Sequence, residues 1–153
     1  LININKKYND FEILPQTMPP FPWHQGGRSY HNILRSVESV VRLNNATGCK
    51  ICFDFSHTYM ECCHSNLDFN LILDELKNYS SHLHLSDSSS TSNEGLNIDD
   101  GNIDFSYALH SIFGSKRKDI ISFIPEVWQG HLENGKGFKT SLNRLSRYLY
   151  TPN

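Results

Sequence analysis

Three carboxylates and one imidazole stand at the ends of short apolar runs spread along the chain. They are Glu12, Asp54, His84 and Glu126, and neighbours in this series are separated by about one strand–loop–helix–loop unit. In parallel α/β folds functional side chains collect at the carboxyl ends of strands, so we expect these four to meet. Converging carboxylates repel one another, and a divalent cation removes that cost. The pattern predicts one metal ion, and the donor set suits Mn²⁺, Mg²⁺, Co²⁺ or Zn²⁺ without choosing among them.

Each of these residues also has an interpretation without a metal. Glu12 has the chemistry to cap a helix or pair with an arginine, and Asp54 can accept backbone hydrogen bonds at the start of a loop. His82 and His84 lie two apart on one strand face, so either is a candidate for a hydrogen-bonded core histidine. Glu126 follows a proline and fits an exposed loop acid. Four such residues at four successive strand ends favour the metal interpretation.

The elements that must position these residues alternate along the chain. Four apolar runs are typical of buried strands, and segments with helical spacing lie between and after them. The predicted strands are Asp10–Leu14, Lys50–Phe55, Ser81–Leu85 and Ile120–Pro125. The predicted helices are Tyr30–Leu43, Leu67–Tyr79, Phe105–Phe113 and Phe138–Tyr150. This order predicts an α/β fold of parallel strands with helical crossovers.

The number of units predicts half of a barrel. A (β/α)₈ barrel of the TIM type takes about 250 residues, and this chain has 153 residues and about four βα units. An open four-stranded sheet is the alternative architecture. Because a half-barrel leaves sheet edges unpaired, we expect a homodimer or association with a missing N-terminal half. The chain begins at Leu1 rather than Met, and we expect residues 1–153 to be the C-terminal half of a barrel domain cut from a longer protein.

Composition excludes several classes of protein. Apolar residues make up 38% and charged residues 20%, and the net charge is -2, which predicts no nucleic-acid partner. The sequence has no apolar run long enough for a membrane span and no basic segment followed by an apolar stretch, so we expect a cytoplasmic protein without membrane contact. The Cys49–Cys52 pair lies in a predicted strand, where residues three apart point to opposite faces. We therefore expect free thiols rather than structural zinc.

Several motifs resemble the xylose isomerase-like TIM barrel superfamily, which includes sugar isomerases, ketose 3-epimerases, inosose dehydratase and endonuclease IV. They are Asp54-Phe-Ser-His57, His84-Leu-Ser-Asp87, the stretch from Glu94 to Asp104, and Pro125-Glu126-Val-Trp128. The resemblance runs from about Glu12 to the end and matches the family's last four strands.

The resemblance implies roles for the residues at the strand ends. In the epimerase branch a Glu, an Asp, a His and a Glu bind one metal ion, which maps onto Glu12, Asp54, His84 and Glu126. The two glutamates also exchange the substrate proton there, which implies that Glu12 and Glu126 are a catalytic acid/base pair. His57 is similar to the family histidine that contacts a substrate oxygen, so we assign it to catalysis and substrate binding.

Two further segments are candidates for substrate contacts. The proline-rich stretch from Pro15 to Gly27 places Trp23 near the first strand end, with Arg28 close behind. It predicts either a packed loop over the barrel mouth or a substrate lid with an aromatic floor and an arginine for phosphate or carboxylate. The run from Trp128 to Gly135, which contains His131, resembles sugar-isomerase-like domains linked to sialic-acid-type synthases. His131 is therefore a further substrate-binding candidate.

The leading functional hypothesis is metal-dependent isomerisation or epimerisation of a monosaccharide or sugar phosphate through an enediolate. This activity would belong to a domain of a larger sugar-biosynthesis protein. One alternative is a phosphodiesterase of the endonuclease IV type, but Asn93 and Gly95 stand where that enzyme's additional zinc ligands would align. The other alternative is a non-catalytic half-barrel.

Overall fold

The sheet consists of parallel strands that lie side by side in chain order. The computed structural model describes residues 4, 7, 10–21, 31–114 and 122–149. Within these residues a three-stranded sheet contains β1 (Ile51–Asp54), β2 (Ser80–Leu85) and β3 (Ser122–Pro125). Asp54 pairs with His84 across β1 and β2, and His84 pairs in turn with Ile124 of β3. This register places the ends of β1 and β2 directly beside each other.

An N-terminal segment adds to the other edge of β1. Gln16 forms an isolated parallel bridge with Cys52. The Thr17 amide donates to the Cys52 carbonyl at 3.0 Å, and the Cys52 amide donates to the Pro15 carbonyl at 3.0 Å. The segment and the three strands therefore follow one another across the sheet in the order of the sequence, as consecutive units of a barrel do.

The helices begin at polar caps that the sequence supplies. They are α1 (Val37–Thr47), α2 (Phe55–Ser65), α3 (Phe69–Leu76), α4 (Phe105–Phe113) and α5 (Leu132–Leu149), with a 3₁₀ turn at Lys77–Tyr79. The side chains of Ser36, Asp54, Asp68 and Asp104 each accept a hydrogen bond from a backbone amide in the first turn of α1 to α4, respectively. Such caps satisfy amides that have no partner inside the helix. Within α5, residues 133–135 have left-handed dihedrals, so its regular part begins after Gly135.

The two faces of the sheet have opposite character. Phe53 and Leu83 point into a buried hydrophobic core that the helices cover. Because side chains alternate along a strand, the neighbouring positions face the other way. That second face carries two rows across the strands: Cys52, His82 and Ser122 in one, and Asp54, His84 and Ile124 in the other. The chemistry of the chain therefore lies on the face away from its core.

The α/β fold class and the parallel arrangement are confirmed, with corrections at particular elements. The predicted strand Asp10–Leu14 is wrong, because pairing there is limited to the bridge at Gln16. Proline has no amide hydrogen to continue a ladder, and Pro15 and Pro19 flank this bridge. The remaining three predicted strands agree within the described residues.

Two helices also differ from the sequence prediction. The predicted helix Tyr30–Leu43 begins only at Val37, where Ser36 and Ser39 form a capping box, and Ile33, inside the predicted range, is 92% exposed. Helix α2 was not predicted, because it follows β1 with no intervening loop and its first residue, Phe55, looked like part of the strand. The predicted helix Phe105–Phe113 is confirmed.

Two expectations from composition concern the membrane and the cysteines. No helix in the described residues has the length and apolar character needed to cross a bilayer.

All four cysteines lie in the described part of the chain, and none of them forms a disulfide. Three are buried and Cys63 is exposed, in agreement with free thiols.

Candidate metal and substrate site

Asp54 is the centre of the site. It is 1% exposed, and its Oδ1 accepts hydrogen bonds from the His57 amide at 2.9 Å and the Ser56 hydroxyl at 3.0 Å. Its Oδ2 lies 2.9 Å from Gln16 Nε2, 3.4 Å from His57 Nδ1 and 3.6 Å from His84 Nδ1. Burial raises the pKa of Asp54, but the hydrogen bond from His84 and the charge of His57 outweigh it and lower the pKa. One oxygen thus caps α2 while the other faces the site.

His84 lies between two carboxylates at the end of β2. Its Nδ1 contacts Glu126 Oε2 as well as Asp54 Oδ2, yet it makes no well-directed hydrogen bond to a described residue. Burial lowers the pKa of His84, whereas its contacts with Asp54, Cys52 and Glu126 raise the pKa to about 12. The two carboxylates around Nδ1 favour positive charge at this point, whether a proton or a metal cation supplies it.

Glu126 completes a cluster suited to a metal. Its amide donates to the Leu85 carbonyl at 3.1 Å, which continues the pairing of β2 and β3 and holds the residue at the strand end. One ligand atom each from Asp54, His84 and Glu126 lie within 4.8 Å of one another. Two carboxylates and an imidazole around one point form a donor set for a divalent cation. These three residues are the ones that the sequence placed at the ends of β1, β2 and β3.

A second cluster lies one row further into the sheet. Cys52, His82 and His84 also bring ligand atoms within 4.8 Å of one another. His82 Nδ1 is 2.7 Å from the Ser122 hydroxyl, and burial together with the charge of His84 lowers the pKa of His82. His84 belongs to both clusters, so the cluster of Cys52 and His82 lies directly beside the cluster of Asp54 and Glu126.

His57 connects Asp54 to a further acid. Its Nδ1 is 3.0 Å from the Thr17 carbonyl, and its Nε2 is 3.2 Å from Glu94 Oε2. Burial lowers the pKa of His57, but contacts with Glu94 and Asp54 raise it to about 9. Sequence reasoning missed Glu94 as a site residue, although the stretch that begins there is one of the family-like motifs. The expectation that functional residues lie at strand ends does not identify a residue inside a long loop.

A cavity of about 220 Å³ joins these groups. Its lining includes Asp54, His57, Glu94, Glu126 and Trp128. Trp128 is 70% exposed, which makes it a wall of the cavity rather than a core residue. The arrangement places two clustered carboxylates, an imidazole and an aromatic surface around a space open to solvent.

The remaining predicted site residues do not all reach this cavity. Glu12 is exposed and belongs to neither metal-type cluster of the described residues. The residue that its segment brings to Asp54 is Gln16. His131 is exposed in the turn after β3, and its carbonyl accepts a hydrogen bond from the Gly135 amide at 3.1 Å. The predicted lid residues Trp23 and Arg28 lie outside the described residues.

The fold and the strand-end cluster define a parallel α/β protein of the barrel type. The chain belongs to the family described as xylose isomerase-like TIM barrel, whose model matches residues 3–148. This confirms the resemblance. Among curated proteins, no sequence matches the chain significantly.

Solved structures with a similar fold include sugar epimerases. A 3-keto-D-glucoside 4-epimerase from E. coli shares 12% identity at a TM-score of 0.64, over 95% of this chain and 49% of that one. An L-ribulose 3-epimerase shares 15% identity at a TM-score of 0.63, over 97% and 50%. A D-tagatose 3-epimerase-like protein shares 18% identity at a TM-score of 0.58, over 97% and 52%. At these identities the likeness shows the fold, and the chain spans about half the length of the structures it matches.

Proposed function

We propose that this chain is the metal-binding half of an isomerase or epimerase that acts on a monosaccharide or sugar phosphate. The observation that carries the proposal is the convergence of Asp54, His84 and Glu126 at adjacent strand ends, beside a cavity that also contains His57. Family membership and the epimerase neighbours support it. The length of the match supports the view that the chain is the C-terminal half of a barrel domain.

The described residues fit a divalent cation. His84 Nδ1 is buried without a well-directed hydrogen bond and lies against two carboxylates, as a ligand nitrogen would. Asp54 is buried in a place where an unpaired carboxylate would be costly. The sequence predicted Glu12 as the fourth ligand. The residue of that N-terminal segment that reaches the site is Gln16, whose side-chain amide donates a hydrogen bond to Asp54 Oδ2. Mn²⁺, Mg²⁺, Co²⁺ and Zn²⁺ all suit this donor set.

Different residues of the chain have different roles in the proposed reaction. A bound divalent cation would polarise the substrate carbonyl and favour the enediolate. Glu126 is 51% exposed at the cavity and is placed to move a proton at the carbon next to that carbonyl. His57 lines the cavity with its Nε2 on Glu94, and Trp128 offers an aromatic surface for a face of the sugar ring.

The second sheet face is where the rest of the barrel would pack. Ile124 is 44% exposed on the row that also contains Asp54 and His84. A closed barrel interior is filled by side chains, so this row requires a covering element. A second copy of the chain or an N-terminal half-barrel would supply it and would complete the substrate cavity.

Metal binding and proton exchange test the proposal together. Mn²⁺ is titrated into the metal-free intact protein by calorimetry, and L-ribulose, D-tagatose and their phosphates are then incubated with the Mn²⁺ form in D₂O. We expect one Mn²⁺ per chain and incorporation of deuterium at the carbon next to the carbonyl of one sugar. Binding should be lost in Asp54→Asn and retained in Glu38→Gln, a change on the exposed face of α1. Absence of both Mn²⁺ binding and deuterium incorporation in the wild type would contradict the proposal.

A further inference from the structure

A continuous series of charged groups crosses the cavity. It runs from Glu94 through His57 to Asp54, and from there through His84 to Glu126. The Glu94–His57 contact is 3.2 Å, the His57–Asp54 contact is 3.4 Å and the Asp54–His84 contact is 3.6 Å. Acids and imidazoles alternate, so each acid has a basic neighbour. Glu126 and Glu94 occupy the two ends of the series, and both line the same cavity.

The Glu94 carboxylate is not explained by local structure. Its side chain is 24% exposed, and its Oε2 is buried without accepting a well-directed hydrogen bond from any described residue. It caps none of the five helices α1 to α5. A buried carboxylate oxygen is costly unless it is paired, and the only ion-pair partner within the described residues is His57. His57 therefore holds the Glu94 carboxylate at the edge of the cavity, and within the described residues no helix start uses it.

The loop that carries Glu94 is held firmly by other residues. Asp87 is fully buried and accepts hydrogen bonds from the amides of Ser88, Gly101 and Ile103 at 2.8–3.1 Å. The backbones of Asp87 and Leu96 also form a two-way pair at 2.9 and 3.0 Å. Since the loop has this separate anchor, Glu94 is not needed to fold it.

A second contact directs Glu94 at the cavity. Gly95 has φ +71°, and its carbonyl accepts a hydrogen bond from the Trp128 amide at 2.8 Å. A Cβ at Gly95 would lie 2.9 Å from the Trp128 amide nitrogen, so a side chain there would force the two loops apart. The loops after β2 and β3 are thus joined at one point, and that point places Glu94 beside the cavity wall that Trp128 forms.

We propose that Glu94, held by His57, is the second proton-transferring carboxylate of the cavity and works opposite Glu126. The inference rests on the proposed function and assigns to Glu94 the acid/base role that the family resemblance implies for Glu12. One carboxylate takes the proton from the carbon next to the carbonyl, and the C–H electron pair forms the C=C bond of the enediolate. The other, protonated, carboxyl returns a proton to the same carbon from the opposite face. The two groups end the cycle with exchanged protonation states and reset with solvent.

The test compares Glu94→Gln with the wild type in the intact Mn²⁺ protein. The probes are L-ribulose, D-tagatose and their phosphates in D₂O, and the readouts are deuterium incorporation, kcat and KM, and Mn²⁺ affinity without sugar. We expect Glu94→Gln to lower kcat for exchange by about 100-fold or more, with Mn²⁺ affinity within about threefold of the wild type. Glu38→Gln, the same change of chemistry on exposed α1, should leave all three readouts unchanged.

Each other outcome overturns the inference in a distinguishable way. If Glu94→Gln exchanges as fast as the wild type, Glu94 transfers no proton and the proposed function still stands. If only KM rises, Glu94 binds the sugar without moving a proton. If Mn²⁺ affinity falls together with exchange, Glu94 acts on the metal cluster. If the wild type exchanges no proton with any probe, the proposed function fails before the variant is considered, and the inference fails with it.

Discussion

Replacement of Asp54 by asparagine separates its two roles. Asparagine is as good a helix cap as aspartate, so the Oδ1 contact with the His57 amide is retained. The other oxygen becomes an amide NH₂, which presents a donor to the Gln16 amide and the two imidazoles around it. The charge that holds His57 and His84 together is lost while the start of α2 is preserved.

The expected cost follows from burial. Removing one partner of a fully buried ion pair costs about 3–5 kcal/mol, and the partly exposed histidines reduce this to about 3 kcal/mol at pH 7. The pKa of Asp54 in the folded protein lies below its ordinary value of 3.8. Stability that depends on its charge is therefore present above pH 3.8 and is lost as the pH falls through the lower folded pKa. The difference in the free energy of unfolding between the wild type and Asp54→Asn should therefore shrink as the pH falls below 3.8.

Urea unfolding in the presence of a chelator measures this difference without metal. Asp68→Asn is the matched control, because Asp68 caps α3 through the same oxygen but lies at an exposed helix start. We expect the control to change the free energy of unfolding by about 0.5 kcal/mol or less. Equal losses in the two variants would refute the charge-centre reasoning and leave Asp54 as a cap alone.

Three further changes test other parts of the structure. Glu126→Gln should weaken Mn²⁺ binding by about 10–100-fold in calorimetry without loss of folding, because its half-exposed carboxylate offers a charge to the cluster rather than to the core; unchanged affinity would exclude it as a ligand. Gly95→Ala should destabilise the protein by about 1–3 kcal/mol in urea unfolding and slow sugar exchange, because the added Cβ strains φ +71° and meets Trp128; an unaltered midpoint would contradict the close approach. Asp74→Asn should cost about 1 kcal/mol or less at pH 7, since solvent screens its contact with Lys77. Its pKa is lowered to about 2, chiefly by that hydrogen bond, so the effect should disappear between about pH 4 and pH 2, and persistence at pH 2 would refute it.

The sequence predicted the three clustered residues because parallel strands bring their carboxyl ends to the same edge of the sheet. A short apolar run that ends in Asp54, His84 or Glu126 leaves little freedom in where that side chain lies, since all three strands point the same way. The apolar runs were sufficient to find β1, β2 and β3, whereas their register comes from the structure.

The same reasoning failed where the chain departs from regular periodicity. Around Glu12 the apolar residues suggested a strand, but the prolines beside Gln16 limit pairing to one bridge, and a period of two cannot show which residue pairs. Glu94 was missed for another reason. Its place depends on the positive φ of Gly95 and on a contact with Trp128 in a distant loop, and spacing along the sequence does not reveal that contact.

The direct passage from β1 into α2 has a consequence for how the cavity keeps its dimensions. Asp54 ends the strand and His57 lies in the helix's first turn, so their separation is a property of one stiff piece of backbone. Glu94 and Trp128 lie in the loops after β2 and β3, which the hydrogen bond from the Trp128 amide to the Gly95 carbonyl joins. Substitutions of the exposed Trp128 side chain can therefore change which sugar the cavity accepts while the spacing between the metal-facing acid and its neighbouring imidazole stays constant.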